Sequence, residues 1–256
     1  MLEKMGVLLS GSALTKSFGA RPLFENLSLG LSDGDRTGLI GPNGSGKTTT
    51  LNVISGYYAS KAGTMTLGGE ILRPGAPALR AAIGIARTFQ TPRVIGAASV
   101  LENVMIGGTI EGQATFVEAL LALPRHRRDE RRLAAKARAL LGVVGLEMLA
   151  DVRADRLQHS ELRFIEIARA LMLEPDFLLL DEPAAGLSSD EIERLAALIK
   201  AISGRGTGVL LVEHHADLIF DICDQVTVLN LGRILAAGTP AEIRVHKEVV
   251  RAYLGG

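Results

Sequence analysis

The chain has little of three things, and each shortage closes off a class of protein. It holds a single cysteine, Cys223, in 256 residues. An intrachain disulfide is therefore impossible, and a reducing compartment suits the chain. A lone thiol in an apolar helical stretch is read as packing rather than as a nucleophile. The chain has no charge excess, since 28 Lys and Arg balance 28 Asp and Glu. A general nucleic-acid binder would carry a basic surplus, so nucleic acid is not expected as a partner. Long hydrophobic runs are also missing, and none approaches the ~18 residues of a membrane span. The apolar stretch Met5–Leu9 after Lys4 is too short for a secretory signal. A cytoplasmic protein is expected, with any membrane role exercised through a partner. Low-complexity segments and repeats are absent too. What is abundant is apolar residues, at 47%, enough for a globular chain with a substantial core.

The stretch that organises the rest is Gly41-Pro42-Asn43-Gly44-Ser45-Gly46-Lys47-Thr48-Thr49. It fits the phosphate-binding pattern G-x-x-x-x-G-K-[ST] without a mismatch. Its glycines let backbone N–H groups turn toward an anion with no Cβ in the way. Lys47 reaches the β- and γ-phosphates, and the Thr48 hydroxyl holds Mg²⁺. Thr37 to Ile40 reads as a short buried strand feeding the loop, and Thr48 to Ser55 as a helix whose N-terminus faces the phosphates. The pattern in this setting predicts a nucleotide-binding protein. A second motif runs from Phe177 to Glu182, four apolar residues followed by Asp181 and Glu182. A parallel strand buried on both faces delivers such a carboxylate to the sheet edge beside the phosphate loop. Asp181 then supports the Mg²⁺ shell. Glu182 stands one residue further out, placed to orient or deprotonate an attacking water.

Between these motifs the pattern alternates. Ser12 to Leu31 reads as an antiparallel hairpin connected through Phe18–Pro22, with Leu27, Leu29 and Leu31 on its buried face. Thr64–Gly69 and Ile83–Phe89 read as strands, the second closed by Gln90 and Thr91-Pro92. From Arg93 the chain turns helical. Ser99 caps a run through Met105, followed by amphipathic stretches over Phe116–Leu123 and Arg127–Leu141, and Glu174-Pro175 ends the region. Ser188 and Glu191 form a capping box for a helix to about Ile202. Strand Val209–Val212, helix Ala216–Ile222, strand Val226–Leu229, a hairpin and a helix over Pro240–Tyr253 complete the chain.

With both motifs in this order, the chain resembles the nucleotide-binding subunit of ABC transporters, from about Ser12 to Tyr253. The resemblance implies an α/β fold: a P-loop NTPase core of ABC ATPase type with an antiparallel β subdomain and an inserted α-helical subdomain. One ABC ATPase domain would span residues 1–256, with 1–90 and 174–256 forming the core and 91–173 the helical part. It implies ATP and Mg²⁺ as cofactors. Phe18 sits where an aromatic ring stacks on adenine, and Gln90 where the Q-loop senses Mg²⁺ and the permease. Asp181 and Glu182 match the Walker B aspartate and catalytic glutamate, Ala184–Ser188 the D-loop, and His214 the switch histidine at the γ-phosphate. Gly84–Gln90, Asp181–Leu187 and Arg251–Gly255 look like the ATPases of branched-chain amino acid importers and of relatives handling amides or carboxylates. Lipopolysaccharide-export ATPases look similar but less closely. A soluble ABC protein of DNA repair or translation is the remaining alternative, without the coiled-coil inserts or basic arms usual there.

One segment departs from the family pattern. The signature Leu-Ser-Gly-Gly-Gln, which caps ATP on the opposite subunit's P-loop, falls here on Leu157-Gln158-His159-Ser160-Glu161. Gln158 still offers a hydrogen bond, but both glycines are replaced, so Cβ atoms stand where the backbone should approach. Gln158, Ser160 and Glu161 remain the candidate contacts. The favoured reading is one weakened ATP site in an asymmetric pair with a second, related ATPase. A tolerated variant working as a homodimer is the alternative. Ser188 also replaces the aspartate many relatives carry, and His215 is expected to begin a helix. Arg125–Arg128 with Arg131 and Arg132 reads as a solvated helix face. The resemblance places the protein peripherally at the cytoplasmic face of the inner membrane. Its partners there would be integral permeases and, indirectly, an extracytoplasmic binding protein.

Overall fold

Three apolar segments, Arg36–Ile40, Phe177–Asp181 and Gly208–Val212, form strands buried along nearly their whole length, which requires cover on both faces. The computed structural model describes residues 8–19, 21–111 and 124–254. The helix expected over Phe116–Leu123, most of Met5–Leu9 and the terminal Gly255 lie outside the described residues. The chain divides into two units, one of residues 1–87 with 176–256 and one of residues 88–175.

In chain order the described elements begin with β1 (Leu8–Phe18), β2 (Arg21–Ser32), β3 (Arg36–Ile40) and α1 (Lys47–Ile54). Then come β4 (Ala62–Leu67), β5 (Glu70–Ile71), α2 (Pro77–Ala82) and β6 (Ile85–Arg87). The second unit holds α3 (Val100–Met105), α4 (Pro124–Val143) and α5 (His159–Leu171). The first unit resumes with β7 (Phe177–Asp181), α6 (Ser189–Ser203), β8 (Gly208–Val212) and α7 (Ala216–Ile222). It ends with β9 (Gln225–Asn230), β10 (Arg233–Gly238), α8 (Pro240–Val245), the short α9 (Lys247–Val249) and a π-helical turn over Val250–Leu254.

The first unit carries two sheets. One is antiparallel, in the order β2-β1-β4-β5. The other runs β10-β9-β3-β8-β7-β6, parallel except for the β9–β10 hairpin. The order places β3 beside β8 and β8 beside β7, so the loops leaving all three strands open at the same sheet edge. Leu27, Phe24 and Leu31 of the first sheet share a buried cluster with Leu39, Leu179, Leu210 and Val212 of the second. In the second unit, Val100, Val104, Leu141, Ile165 and Ala168 are fully buried. Ser99 caps α3 with Glu102 in a reciprocal box, as its spacing predicts.

Three local expectations differ from the structure. The hairpin connection is tighter than Phe18–Pro22, because Phe18 already pairs with Arg21. The strand expected over Ile83–Phe89 shrinks to β6, because Ile83 ends α2 and Gly84 turns with φ +87°. The helix expected over Pro240–Tyr253 is broken at His246, which is extended at φ −69°, ψ 114°. Ile243 and Val249 are both buried. Six positions of unbroken helix would leave them about 120° apart around the axis, so the break lets both face the core. The strand β7 is the clearest test of this packing. Leu179→Ala is expected to lower the unfolding free energy by about 2–5 kcal/mol, read as a lower denaturant midpoint with unchanged slope.

Candidate nucleotide site

The phosphate loop follows β3 and opens α1. Gly46 occupies the helix N-cap with φ +105°, a left-handed conformation that favours glycine. Gly41, at φ +148°, lies so close to β9 that an added Cβ would stand 2.0 Å from the Leu229 carbonyl oxygen. Lys47 folds across the loop and donates from Nζ to the carbonyls of Gly41 at 2.7 Å and Pro42 at 3.1 Å. Burial lowers the proton affinity of its ammonium, and the charges of Glu182 and Asp181 pull it back up. The Ser45 hydroxyl is 3% exposed and finds no hydrogen-bond partner among the described residues. Anion oxygens seated in this loop would give Ser45 the partner that such a group requires, and Lys47 a counter-charge. The residues present fit a nucleotide.

A cavity of about 150 Å³ opens over the loop, lined by Leu23, Asn43, Gly44, Gly46, Lys47, Thr48, Thr49, Glu182 and His214. Asp181, 1% exposed, lies beneath it and accepts the Thr48 hydroxyl at 3.3 Å. That pair of hard oxygen donors suits Mg²⁺, which takes one or two protein ligands beside phosphate and water. Among the described residues no three His, Cys, Asp or Glu side chains converge on a metal site of their own. Glu182 adopts φ +49°, a left-handed conformation costing a non-glycine residue on the order of 1–3 kcal/mol. Its N–H donates to the Val212 carbonyl at 2.9 Å, and its Oε1 lies 2.8 Å from His214 Nε2. Phe18 does not line the cavity. Its ring is 54% exposed at the end of β1, edge-on to Tyr58 at 5.5 Å between centroids, with Lys16 Nζ 5.2 Å from its centre.

Sequence reasoning gave no role to Arg87, Glu213 or Glu166. Arg87 ends β6 with its side chain 5% exposed, and Nη2 pairs with Asp181 Oδ2 at 2.9 Å. Nη1 donates to Asn52 Oδ1 at 2.5 Å and Ser55 Oγ at 3.0 Å, and the guanidinium lies 5.6 Å from the centre of the Tyr57 ring. Burial pushes the Asp181 carboxyl up, and Arg87 opposes that shift. Glu213 is buried between the segments that follow β7 and β8, where burial raises its carboxyl and three backbone amides oppose the rise. An ionisable residue at the end of an apolar strand, or on the apolar face of a helix, was the available signal, because a buried charge must find a partner.

Gln90 and the signature segment belong to the second unit. Gln90 is exposed, and the backbone on either side of it is held by one buried carboxylate. Glu166 of α5 accepts the Phe89 N–H at 3.4 Å and the Arg93 N–H at 2.8 Å. Arg163 donates to the Phe89 carbonyl at 3.1 Å, and Arg169 to the Asn103 carbonyl at 2.9 Å. Gln158 is the N-cap of α5 and is exposed, Ser160 is buried at 7%, and Glu161 is half-buried. The Glu161 carboxylate accepts the Gln158 N–H at 2.7 Å, so α5 begins under its own anion.

A model of the ABC transporter family matches residues 24–185. The chain belongs to that family. A second model, the branched-chain amino acid ATP-binding cassette transporter, matches residues 233–256. The high-affinity branched-chain amino acid transport ATP-binding protein LivG of Salmonella typhimurium is 38% identical over 97% of this chain and 98% of its own. BraF of Pseudomonas aeruginosa, described in the same words, is also 38% identical over 97% of this chain. The lipopolysaccharide export system ATP-binding protein LptB of Haemophilus influenzae is 32% identical over 97%. Among solved structures, an ATP-binding cassette of an ABC transporter in its ADP conformation aligns with TM-score 0.85 at 30% identity, covering 99% of this chain and 100% of the other. This ABC protein is an ATP-hydrolysing subunit, and its homologues work with membrane permease subunits. Among its described residues no helix is long and apolar enough to cross a membrane.

In this ABC ATPase, Arg87→Met would leave the Asp181 carboxylate buried without its cation. A loss of about 3–5 kcal/mol is expected near neutral pH. With only the Thr48 hydroxyl left to oppose burial, the folded-state pKa of Asp181 lies further above its unfolded value. The variant's stability should therefore be highest below the unfolded pKa and fall as pH rises through the folded one. Thermal melts across the acid range check this, and a deficit that does not narrow on acidification contradicts it.

Proposed function

We propose that the chain powers an importer of branched-chain amino acids, or of related small amides and carboxylates, at the cytoplasmic face of the inner membrane. One observation carries the site chemistry: Lys47, Thr48, Glu182 and His214 share a single cavity, with Asp181 bonded to Thr48 beneath it. The loop amides and Lys47 would hold the β- and γ-phosphates of ATP. Thr48 and Asp181 would hold Mg²⁺. When bound, the ion neutralises phosphate charge. Glu182 would orient the attacking water, and His214, now resting on Glu182, would turn to the γ-phosphate. The exposed Phe18 ring offers a surface for adenine. Support for the importer reading comes from the full-length relatives and from the match over residues 233–256.

The start of α5 supports an asymmetric pair. A signature must present free amides to the γ-phosphate of ATP on the other subunit. Here Glu161, which holds the Gln158 amide, puts a negative charge at the helix start that opposes an arriving phosphate. His159 and Ser160, the latter buried, carry Cβ atoms where the family pattern has glycine. Losing one charge-assisted phosphate contact costs about 1.5–3 kcal/mol. The chain's own P-loop would therefore work against a better signature on a second, related ATPase.

Glu182→Gln protein, able to bind ATP but not to turn it over, tests this pairing by light scattering. It is expected to remain monomeric with ATP and Mg²⁺ alone, and to dimerise when the related ATPase is added. Robust homodimers, with full turnover by the wild-type chain alone, would sink the asymmetric reading. Removing Mg²⁺ with EDTA should abolish turnover while leaving nucleotide bound through the loop amides and Lys47. Purification from native membranes identifies the permeases. Their binding protein should then take branched-chain amino acids or small carboxylates, whereas lipid-handling partners would favour the export reading that the LptB similarity raises.

A further inference from the structure

Glu213 joins two segments that are far apart in sequence. It follows Val212, the last residue of β8, and precedes His214. Its side chain is 1% exposed, and both of its oxygens are engaged by backbone amides. Oε1 accepts the Ala184 N–H at 2.6 Å. Oε2 accepts the His214 N–H at 3.0 Å and, at longer range, the His215 N–H at 3.5 Å. Ala184 is itself buried and opens the segment Ala184–Ser188 that follows β7. The Glu182 N–H bonds to Val212, and the His214 ring rests on the Glu182 carboxylate at 2.8 Å. The contacts thus close a circuit through Glu182, Val212, Glu213 and His214, with Ala184 attached to it.

Two physical points separate this from an ordinary helix cap. A cap for α7 would accept amides of the helix's first turn, whereas Glu213 accepts those of His214 and His215, which lie before its first residue, Ala216. The shortest of the three bonds goes instead to the loop after another strand, where it does nothing for that helix. A carboxylate is also planar, with its two oxygens at a fixed separation. Burial leaves it no water to exchange for either amide. A shift of Ala184 must therefore move Glu213, and with it the backbone that carries His214.

We propose that Glu213 is a positioning residue that makes the placement of His214 against Glu182 conditional on the Ala184–Ser188 loop. Because that loop corresponds to the segment facing the second ATPase, closure of the pair would reach the imidazole through Glu213. The inference rests on the role proposed above for His214.

The transporter complex, purified through a tag on this chain, supplies the test. Glu213→Gln keeps the shape but sets an NH₂ group against one backbone N–H. It is expected to bind a fluorescent ATP analogue with wild-type affinity, keep KM, and lose about tenfold in kcat. The double variant with His214→Ala should be no slower than His214→Ala alone, because both changes act on one group. Unchanged kcat in Glu213→Gln, or losses that multiply in the double variant, would overturn the proposal. If His214→Ala itself keeps full turnover, the role given to the histidine fails instead, which separates the two ideas. Should Glu213→Gln not fold, amide exchange decides the matter. In the wild type, Ala184 and His214 should be protected together, and both should be released by Glu213→Asp, which is one methylene too short to span them. Independent exchange at the two amides would contradict the link.

Discussion

A carboxylate with almost no contact with water cannot stay ionised without a partner, and Asp181 is the residue on which that condition bears hardest. It sits at the end of β7, 1% exposed, with one oxygen turned to Thr48 and the other to Arg87. Arg87 reaches Asn52 and Ser55 from the same guanidinium. Compensating one buried charge thus ties three pieces of chain together: the phosphate-loop helix, the β6 edge and the β7 strand. The loop is held both by its own glycine geometry and by this pairing at its far end. In the proposed function Asp181 helps hold the metal, and its burial with these partners fixes where that carboxylate stands.

The same device recurs wherever a loop has to be firm. Backbone amides in loops lack the ladder partners that strands and helices provide, so each needs another acceptor. Glu166 supplies one for the segment around Gln90, and Glu213 for the segments around Ala184 and His214. At the start of α5, Glu161 does so for Gln158. In the first two cases a deeply buried carboxylate leaves its loop few alternative positions. In the last, the acceptor that stabilises the helix start is half-buried rather than buried deep, and under the proposed pairing its charge would oppose a phosphate arriving there.

Much of the architecture was legible in the chain because local rules and tertiary demands agree. The buried strands β3, β7 and β8 are uninterrupted apolar runs, Ser99 and Ser188 open helices with a glutamate three residues on, and the glycines of the phosphate loop match its backbone angles. Where the reading was off, packing overruled a local pattern. An apolar stretch at Ile83 ended α2 rather than starting a strand, and one helical stretch broke at His246 so that Ile243 and Val249 could both be buried.

By itself the sequence determined the chemistry on offer: a phosphate loop with its lysine and threonine, an Asp181-Glu182 strand end, a histidine after β8, and a signature without its glycines. These are matters of residue type and short spacing, which physics reads locally. Only the tertiary structure decided how the groups are held. Arg87 and Asp181 are 94 positions apart, and Glu213 and Ala184 are 29. No periodicity reveals such pairings, because they follow from which strands lie side by side in the sheet and from the cost of burying a charge alone.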